Sequence, residues 1–315
     1  MATARRGWLD SLDGQGQAVI LVTGATGKVG YRLLENLRDA AAPTTAMVRV
    51  EARAVDLPAR VDHLVGTLDD PPPPEVLEQF DQVFLLSPEG EAQAELEIVF
   101  VDALVAAGHR PRLVKVAYDG FQDPDCEVRF MHTHRVVAAH LERTGLPVTY
   151  LAPTLFMEEL LTSAEAIRDQ AVLSAPAGHA RVGLVAARDV ADVAAAVLTG
   201  AAEVDDGDVL VLTGPEPLSF ADVADRISTV FARTVDYADL APEAARSAMR
   251  KNGFTPWQVD GRMELFEWIR RDAMDSVTDD VQKVTGREPR RLQDWLGEAR
   301  AAFVGLPPGM PPPPI

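Results

Sequence analysis

The chain has 315 residues and a formal net charge of −18, long enough for one large α/β domain or one with a smaller partner. That charge argues against nucleic acid and against anionic membrane surfaces, both of which need a basic face. No apolar run approaches a membrane span, and the opening MATARRGWLDSLDGQGQ lacks a signal peptide's apolar core; the single cysteine, Cys126, excludes an internal disulfide framework and fits a reducing cytoplasm.

Residues 1–17 read as a polar leader. Ala18–Val22 is then an unbroken apolar, β-branched run, the pattern of a buried parallel strand. Gly24, Gly27 and Gly30 follow with G-x-x-G-x-x-G spacing, and Val29, Leu33, Leu34 and Leu37 continue at helical spacing. Strand, glycine turn and helix in that order make a phosphate cradle. The glycines let the backbone approach a pyrophosphate, and the helix start aims free N–H groups and a positive dipole end at it.

Thr44–Val50 reads as a second strand. A site for NAD places an acid at its end, for the ribose hydroxyls; a site for NADP uses a nearby Arg for the 2′-phosphate. Here the strand ends Met47-Val48-Arg49, with no acid before Glu51, which points to Arg49 and NADP(H).

Further strands are predicted at Val61–Val65, Asp81–Ser87, Arg112–Ala117, Val148–Leu151, Arg181–Val185 and Val209–Leu212. Helices are predicted at Glu75–Phe80, Ile98–Ala107, Phe130–Thr144 (closed by Gly145) and Val190–Leu198, with Asp189 as its cap. Beyond Gly214 the pattern turns helical and more charged: Phe220–Phe231, Pro242–Lys251, Arg262–Asp272 and Leu292–Ala302. This predicts an α/β fold, a doubly wound parallel sheet of Rossmann type with a second, smaller, mostly helical domain. The large domain spans 18–160 and is completed by 181–213. The smaller lobe takes 161–180 and 214–303, and 304–315 is a proline-rich tail.

Four stretches carry a resemblance. They are LVTGATGKVG (Leu21–Gly30), GLPVTYLAPTLFMEEL (Gly145–Leu160), the strand–helix units RVGLVAARDVADVAAAVLTG (Arg181–Gly200) and VLTGPEPLSFADVADRIS (Val211–Ser228), and VTDDVQKVTGREPRRLQDW (Val277–Trp295). With these the chain resembles the NmrA-like family of atypical short-chain dehydrogenases/reductases, over nearly all of Ala18–Phe303. The resemblance implies a Rossmann-type fold, an NADP preference and a cleft between two lobes. Members include quinone reductases, triphenylmethane dye reductases, aromatic ether reductases and non-catalytic regulators that sense the cofactor. It further implies that Gly24, Thr26, Gly27, Lys28, Val29 and Gly30 hold the pyrophosphate and Arg49 the 2′-phosphate. Thr67 and Leu68 would lie near adenine, Ser87 and Pro88 near the ribose, and Pro153, Thr154 and Phe156 at the nicotinamide.

The chain departs from the family pattern at several positions. Ala152 replaces the usual Arg before Pro153, Glu159 the usual Asn, Thr67 an Asp, and Ala138 a Glu; no Tyr-x-x-x-Lys pair stands where typical short-chain dehydrogenases carry it. The proton donor must then come from elsewhere. Tyr118, just past the fifth strand, and His134, on the helix that follows, are the candidates. Phe266 and Trp268 point to an aromatic pocket in the smaller lobe. No metal is expected: His132-x-His134 with Asp125 and Cys126 matches no zinc spacing. The leading expectation is an NADPH-dependent reductase of a small apolar, aromatic carbonyl or quinone. An NADP(H)-sensing regulator and a non-redox cyclase or isomerase that keeps the cofactor as scaffold stay open beside it.

Overall fold

The three residues Ile20, Leu21 and Val22 are all buried, and successive side chains point to opposite faces of the sheet in which they lie. Ile20 and Val22 join one apolar layer, with Leu33, Leu34 and Leu37 and with Val190, Val193 and Val197; Leu21 joins the other, with Phe100, Leu104, Val137 and Leu141. An unbroken apolar run is what burial on both faces demands. The computed structural model describes residues 18–304; the predicted leader and the proline-rich tail beyond Val304 lie outside them.

The chain alternates strand and helix: β1 (Ile20–Val22), α1 (Lys28–Asp39), β2 (Thr44–Val48), β3 (Asp62–Val65), α2 (Pro74–Leu77), β4 (Gln82–Leu85), α3 (Gln93–Ala106), β5 (Arg112–Val116), α4 (Arg129–Thr144) and β6 (Val148–Pro153). After α5 (Ala164–Gln170), β7 (Val172–Ala175), β8 (Arg181–Val182) and α6 (Ala187–Leu198), strand β9 (Val209–Leu212) returns to the sheet. The seven strands lie in the order β3-β2-β1-β4-β5-β6-β9, every pair parallel. The order reverses between β1 and β4, and ligands of such sheets bind outside the strand carboxyl ends at that reversal. This is a doubly wound, Rossmann-type sheet.

The remaining elements are β10 (Leu218–Ser219), α7 (Phe220–Phe231), β11 (Asp236–Asp239), α8 (Pro242–Lys251), α9 (Pro256–Ile269), α10 (Asp280–Thr285), α11 (Leu292–Glu298) and α12 (Arg300–Val304). Two capping boxes start the main helices here. Ser219 and Asp222 bond reciprocally at α7, as do Thr255 and Gln258 at α9.

Of the predicted elements that differ, four do so for a clear local reason. Helix α3 begins at Gln93 rather than Ile98, because Gln93 and Glu97 are polar yet turned inward and break the apolar period. Helix α9 runs from Pro256 to Ile269 rather than 262–272; the Thr255 cap and Pro256 at its first position set the start. Strand β8 is only two residues and pairs antiparallel with β10 instead of entering the main sheet. Helix α6 starts at Ala187, so Asp189 lies inside its first turn, buried against Arg290, and is not its cap. The carboxylate at that helix start is Glu158, which accepts from the Ala187 amide at 3.1 and 3.2 Å. A small parallel pair, β7 with β11, had no counterpart in the sequence reading.

Candidate active site

The glycine turn is built as an open anion cradle. Gly24 has φ +60°, a left-handed conformation, and a Cβ there would also lie 2.8 Å from the Leu86 carbonyl. Thr23 fixes the neighbouring strand end, since its hydroxyl donates to the Leu86 carbonyl and accepts from the Leu86 amide, both at 2.9 Å. At Gly30 a Cβ would overlap the Gly24 carbonyl, so this glycine serves helix–turn packing. Gly27 is different. It is exposed and caps α1 with no side chain on the helix start, and a Cβ would meet only the Gly24 oxygen at 3.2 Å. The first turn of α1 carries no acid, whereas Glu158 already fills the start of α6. A pyrophosphate therefore fits the start of α1, where no side chain of the described residues pairs with the N–H groups of Lys28, Val29 and Gly30.

The other residues singled out from sequence fall as follows. Thr26 is half-buried and Lys28 exposed, and both face a cleft that Arg32, Arg53 and Glu158 also line. Val29 points into the core, so only its backbone is available to a ligand. Arg49 is exposed just past the end of β2, and no ion pair ties it down among the described residues. The hydroxyl of Thr67 accepts from the Asp70 amide at 3.0 Å, closing a turn that leaves Leu68 half-buried beside it. Pro88 is exposed, while Ser87 is buried and donates to Glu97 at 2.6 Å. Pro153 is buried at the end of β6, and Phe156 is half-buried two residues past Thr154. Thr154 is fully buried, and its hydroxyl donates to the carbonyls of Gly183 and Leu212, so its side chain ties chain segments together and only its backbone is available to a ligand.

Tyr118 and His134 come together. Their ring centroids are 6.2 Å apart, with Phe130 packed 6.3 Å from Tyr118. The Tyr118 hydroxyl has no hydrogen-bond partner among the described residues. Burial, reinforced by the carboxylates of Glu89 and Glu159, holds its pKa well above that of a free phenol, so it is a neutral donor. Burial and the Lys115 ammonium hold His134 well below an ordinary histidine.

Sequence reading missed two partners of this cluster. Glu89 follows β4, and burial pushes it up to about 7, with Glu159 raising it further and Arg262 opposing. Arg262, on α9, lies 2.7 Å from Glu159 and over the Phe254 ring at 4.3 Å. No local motif marks these residues, because the contacts join distant parts of the chain. Beside them opens a pocket whose walls include Leu155, Phe156, Phe220, Phe254 and Phe266. Trp268 does not line it; its indole N–H is sealed without a partner among the described residues, near Gly120.

A parallel sheet with this order, a bare glycine cradle at its switch point and an apolar cleft at the strand carboxyl ends define a Rossmann-type dinucleotide-binding architecture. The NmrA-like family pattern matches residues 16–296, and the chain belongs to that family. It is 31% identical over 288 residues to an NAD(P)H azoreductase of Xenophilus azovorans, covering 90% of this chain and 99% of that protein. It is 32% identical over 287 residues to a (4-alkanoyl-5-oxo-2,5-dihydrofuran-3-yl)methyl phosphate reductase of Streptomyces griseus subsp. griseus, covering 91% and 99%. In fold it is similar to the NADPH-dependent quinone oxidoreductase QOR2 of Escherichia coli, solved with NADPH, at TM-score 0.80 and 21% identity over 90% of this chain and all of that one.

Proposed function

We propose that the protein is an NADPH-dependent reductase of small, apolar, aromatic acceptors: quinones, aromatic carbonyls or compounds with a comparable conjugated electrophile. The observation that carries this reading is the convergence of Tyr118 and His134 at the carboxyl end of β5, on the sheet that also presents the glycine cradle. Reductase names among the relatives support the same class. When bound, the nicotinamide supplies the hydride. The start of α1 holds the pyrophosphate, and Arg49 holds the 2′-phosphate as the paired cation of an NADP site. Phe156 and the aromatic walls of the cleft hold a flat acceptor and exclude water. Tyr118 and His134 each offer an N–H or O–H to the acceptor oxygen that gains electron density. The phenol, kept protonated by burial, gives its proton to that oxygen as the hydride adds and is reprotonated from solvent.

The test is spectroscopic. NADPH absorbance is followed as quinones, aromatic ketones and azo compounds are added to the purified protein. Consumption of NADPH with release of the reduced acceptor is expected. NADPH binding with no loss of absorbance for any acceptor would replace this reading with a cofactor-sensing one.

A further inference from the structure

Four polar side chains lie buried behind the Tyr118–His134 pair. Lys115 sits in β5 and Glu97 in α3, with side-chain exposures of 1% and 0%. Lys115 Nζ lies 3.1 Å from Glu97 Oε2, an ion-pair contact not aligned as a hydrogen bond. It also donates to the Val116 carbonyl and lies 3.2 Å from His134 Nδ1. The other Glu97 oxygen accepts from Ser87 at 2.6 Å and from Gln93 at 3.3 Å. A buried ion pair in the middle of a sheet is seldom the most stable filling for that space. Its position invites a role at the cleft.

The chemistry of the three groups around Nζ sets the protonation pattern. A carboxylate oxygen and a backbone carbonyl can only accept, and an ammonium has three protons to give. With Glu97 anionic beside it and the Val116 carbonyl accepting one proton, Lys115 as ammonium has a proton to give to His134 Nδ1. An imidazole that accepts at Nδ1 is the neutral tautomer carrying its proton on Nε2. An imidazolium would instead aim a like charge at Lys115 in a sealed site. The His134 Nε2 has no partner among the described residues and is not one of the sealed, unpartnered polar atoms, which leaves it the ring nitrogen free to meet a ligand.

We propose that Lys115, held charged by Glu97, is a positioning residue that locks His134 as a neutral imidazole and presents its Nε2–H to the substrate. This rests on the reductase reading for what the Nε2–H does, but the tautomer lock stands apart from it. His134 then acts as a hydrogen-bond donor without passing through an imidazolium in the resting protein. Ser87, assigned to the cofactor ribose by family likeness, has a second role in satisfying Glu97. The titratable and charged groups facing His134 are Lys115 from β5 and Tyr118 just past it, with Glu97 of α3 behind Lys115.

The test is nitrogen-15 NMR of histidine-labelled full-length protein. His134 should show one tautomer, Nε2–H, and should not titrate between about pH 5 and 8, where an ordinary histidine does. A charge-free pair, Glu97→Gln with Lys115→Met, avoids leaving one buried charge alone. In that variant His134 should populate both tautomers or titrate, and kcat should fall about tenfold to a hundredfold, the usual effect of losing an outer-shell partner, with KM for NADPH unchanged. The wild-type spectrum alone overturns the proposal if His134 titrates near its ordinary value or carries its proton on Nδ1. A folded double variant that keeps the single Nε2–H tautomer overturns it too. Absence of any NADPH turnover would remove the reductase reading and leave the tautomer result to stand or fall by itself.

Discussion

Arg262, on α9 of the smaller lobe, places a guanidinium nitrogen 2.7 Å from the Glu159 carboxylate, in the turn that follows β6 of the Rossmann sheet. Both side chains are partly exposed, so the pair adds little to folding, about 1 kcal/mol or less. Its larger effect is electrostatic. Arg262 opposes the field that Glu159 adds at Glu89 and Tyr118. Arg262→Met should therefore leave the melting temperature nearly unchanged while moving the Glu89 titration above about 7, as read by carbon-13 NMR of the side-chain carboxyl. A Glu89 titration that does not move would show that the cation does not act on the cleft.

Glu89 itself gives a pH-dependent stability. Its folded pKa of about 7 stands above the ordinary carboxylate value, chiefly through burial. The folded state thus holds this proton more tightly than the unfolded state, and stability from this group is complete below the unfolded value near pH 4.5 and declines as pH rises through about 7. Glu89→Gln removes that term. The variant should be more stable than wild type at pH 8, by roughly 1 kcal/mol after allowing for solvent at the cleft, and should lose the advantage by pH 5. Denaturant melts at the two pH values measure this. A constant difference between them would mean that Glu89 is ionised in the native protein throughout.

How far the sequence discloses this molecule depends on the range of the interaction involved. The apolar run at β1, the glycine spacing and the Gly145 stop of α4 are local signals, and each is realised in the structure. The doubly wound parallel sheet followed from strand–helix alternation, because parallel strands need crossover connections, whereas the strand order is seen only in the structure. Glu97 shows why the start of α3 was hidden: an inward glutamate is indistinguishable from a surface one until Lys115 is seen beside it. The same holds for Thr154, whose hydroxyl partners, Gly183 and Leu212, come from two later segments. Glu159 stood out in the sequence as a departure from the family pattern, but its partner Arg262, 103 residues on, did not.

The three glycines of the cradle should separate by function. Gly27 has φ −84°, which any residue adopts, and its Cβ would press on one atom only, the Gly24 carbonyl oxygen at 3.2 Å, a contact relieved by a small shift. Gly27→Val should fold with an unchanged circular dichroism spectrum but lose NADPH binding, because the branched side chain occupies the space above the α1 start. Gly30→Ala should instead destabilise the fold, by about 1–3 kcal/mol or more, since its methyl overlaps the Gly24 carbonyl. Normal NADPH affinity in Gly27→Val would mean that the pyrophosphate lies elsewhere.

The proposed preference for NADPH is tested at Arg49. An exposed guanidinium at the end of β2, with no acid in its place, favours a 2′-phosphate over a free ribose hydroxyl. Charge-assisted hydrogen bonds of this kind contribute on the order of 1.5–3 kcal/mol. Arg49→Ala should accordingly weaken NADPH by roughly tenfold to a hundredfold, the affinity equivalent of that range, and NADH by much less. Titration calorimetry with both nucleotides decides it. Equal weakening, or a wild type that prefers NADH, would remove Arg49 from the phosphate site.

The chemistry itself is tested at Tyr118 and His134, whose rings lie 6.2 Å apart past the carboxyl end of β5 and on α4. Both are held neutral at physiological pH by burial, Tyr118 far above and His134 far below their ordinary values. A reductase using them as hydrogen-bond donors should show a rate that does not follow a histidine titration near pH 6.5. Tyr118→Phe removes one donor and keeps the ring that packs on Phe130. Loss of a positioned acid–base group typically lowers the rate by about a hundredfold or more, so kcat should fall on that scale while NADPH affinity stays near wild type. His134→Gln keeps an N–H donor in the same region and should retain more activity than His134→Ala. Full turnover in a Tyr118→Phe, His134→Ala double variant would exclude both. The acceptor's proton would then come from water, and the protein would accelerate the reaction by holding acceptor and nicotinamide in contact.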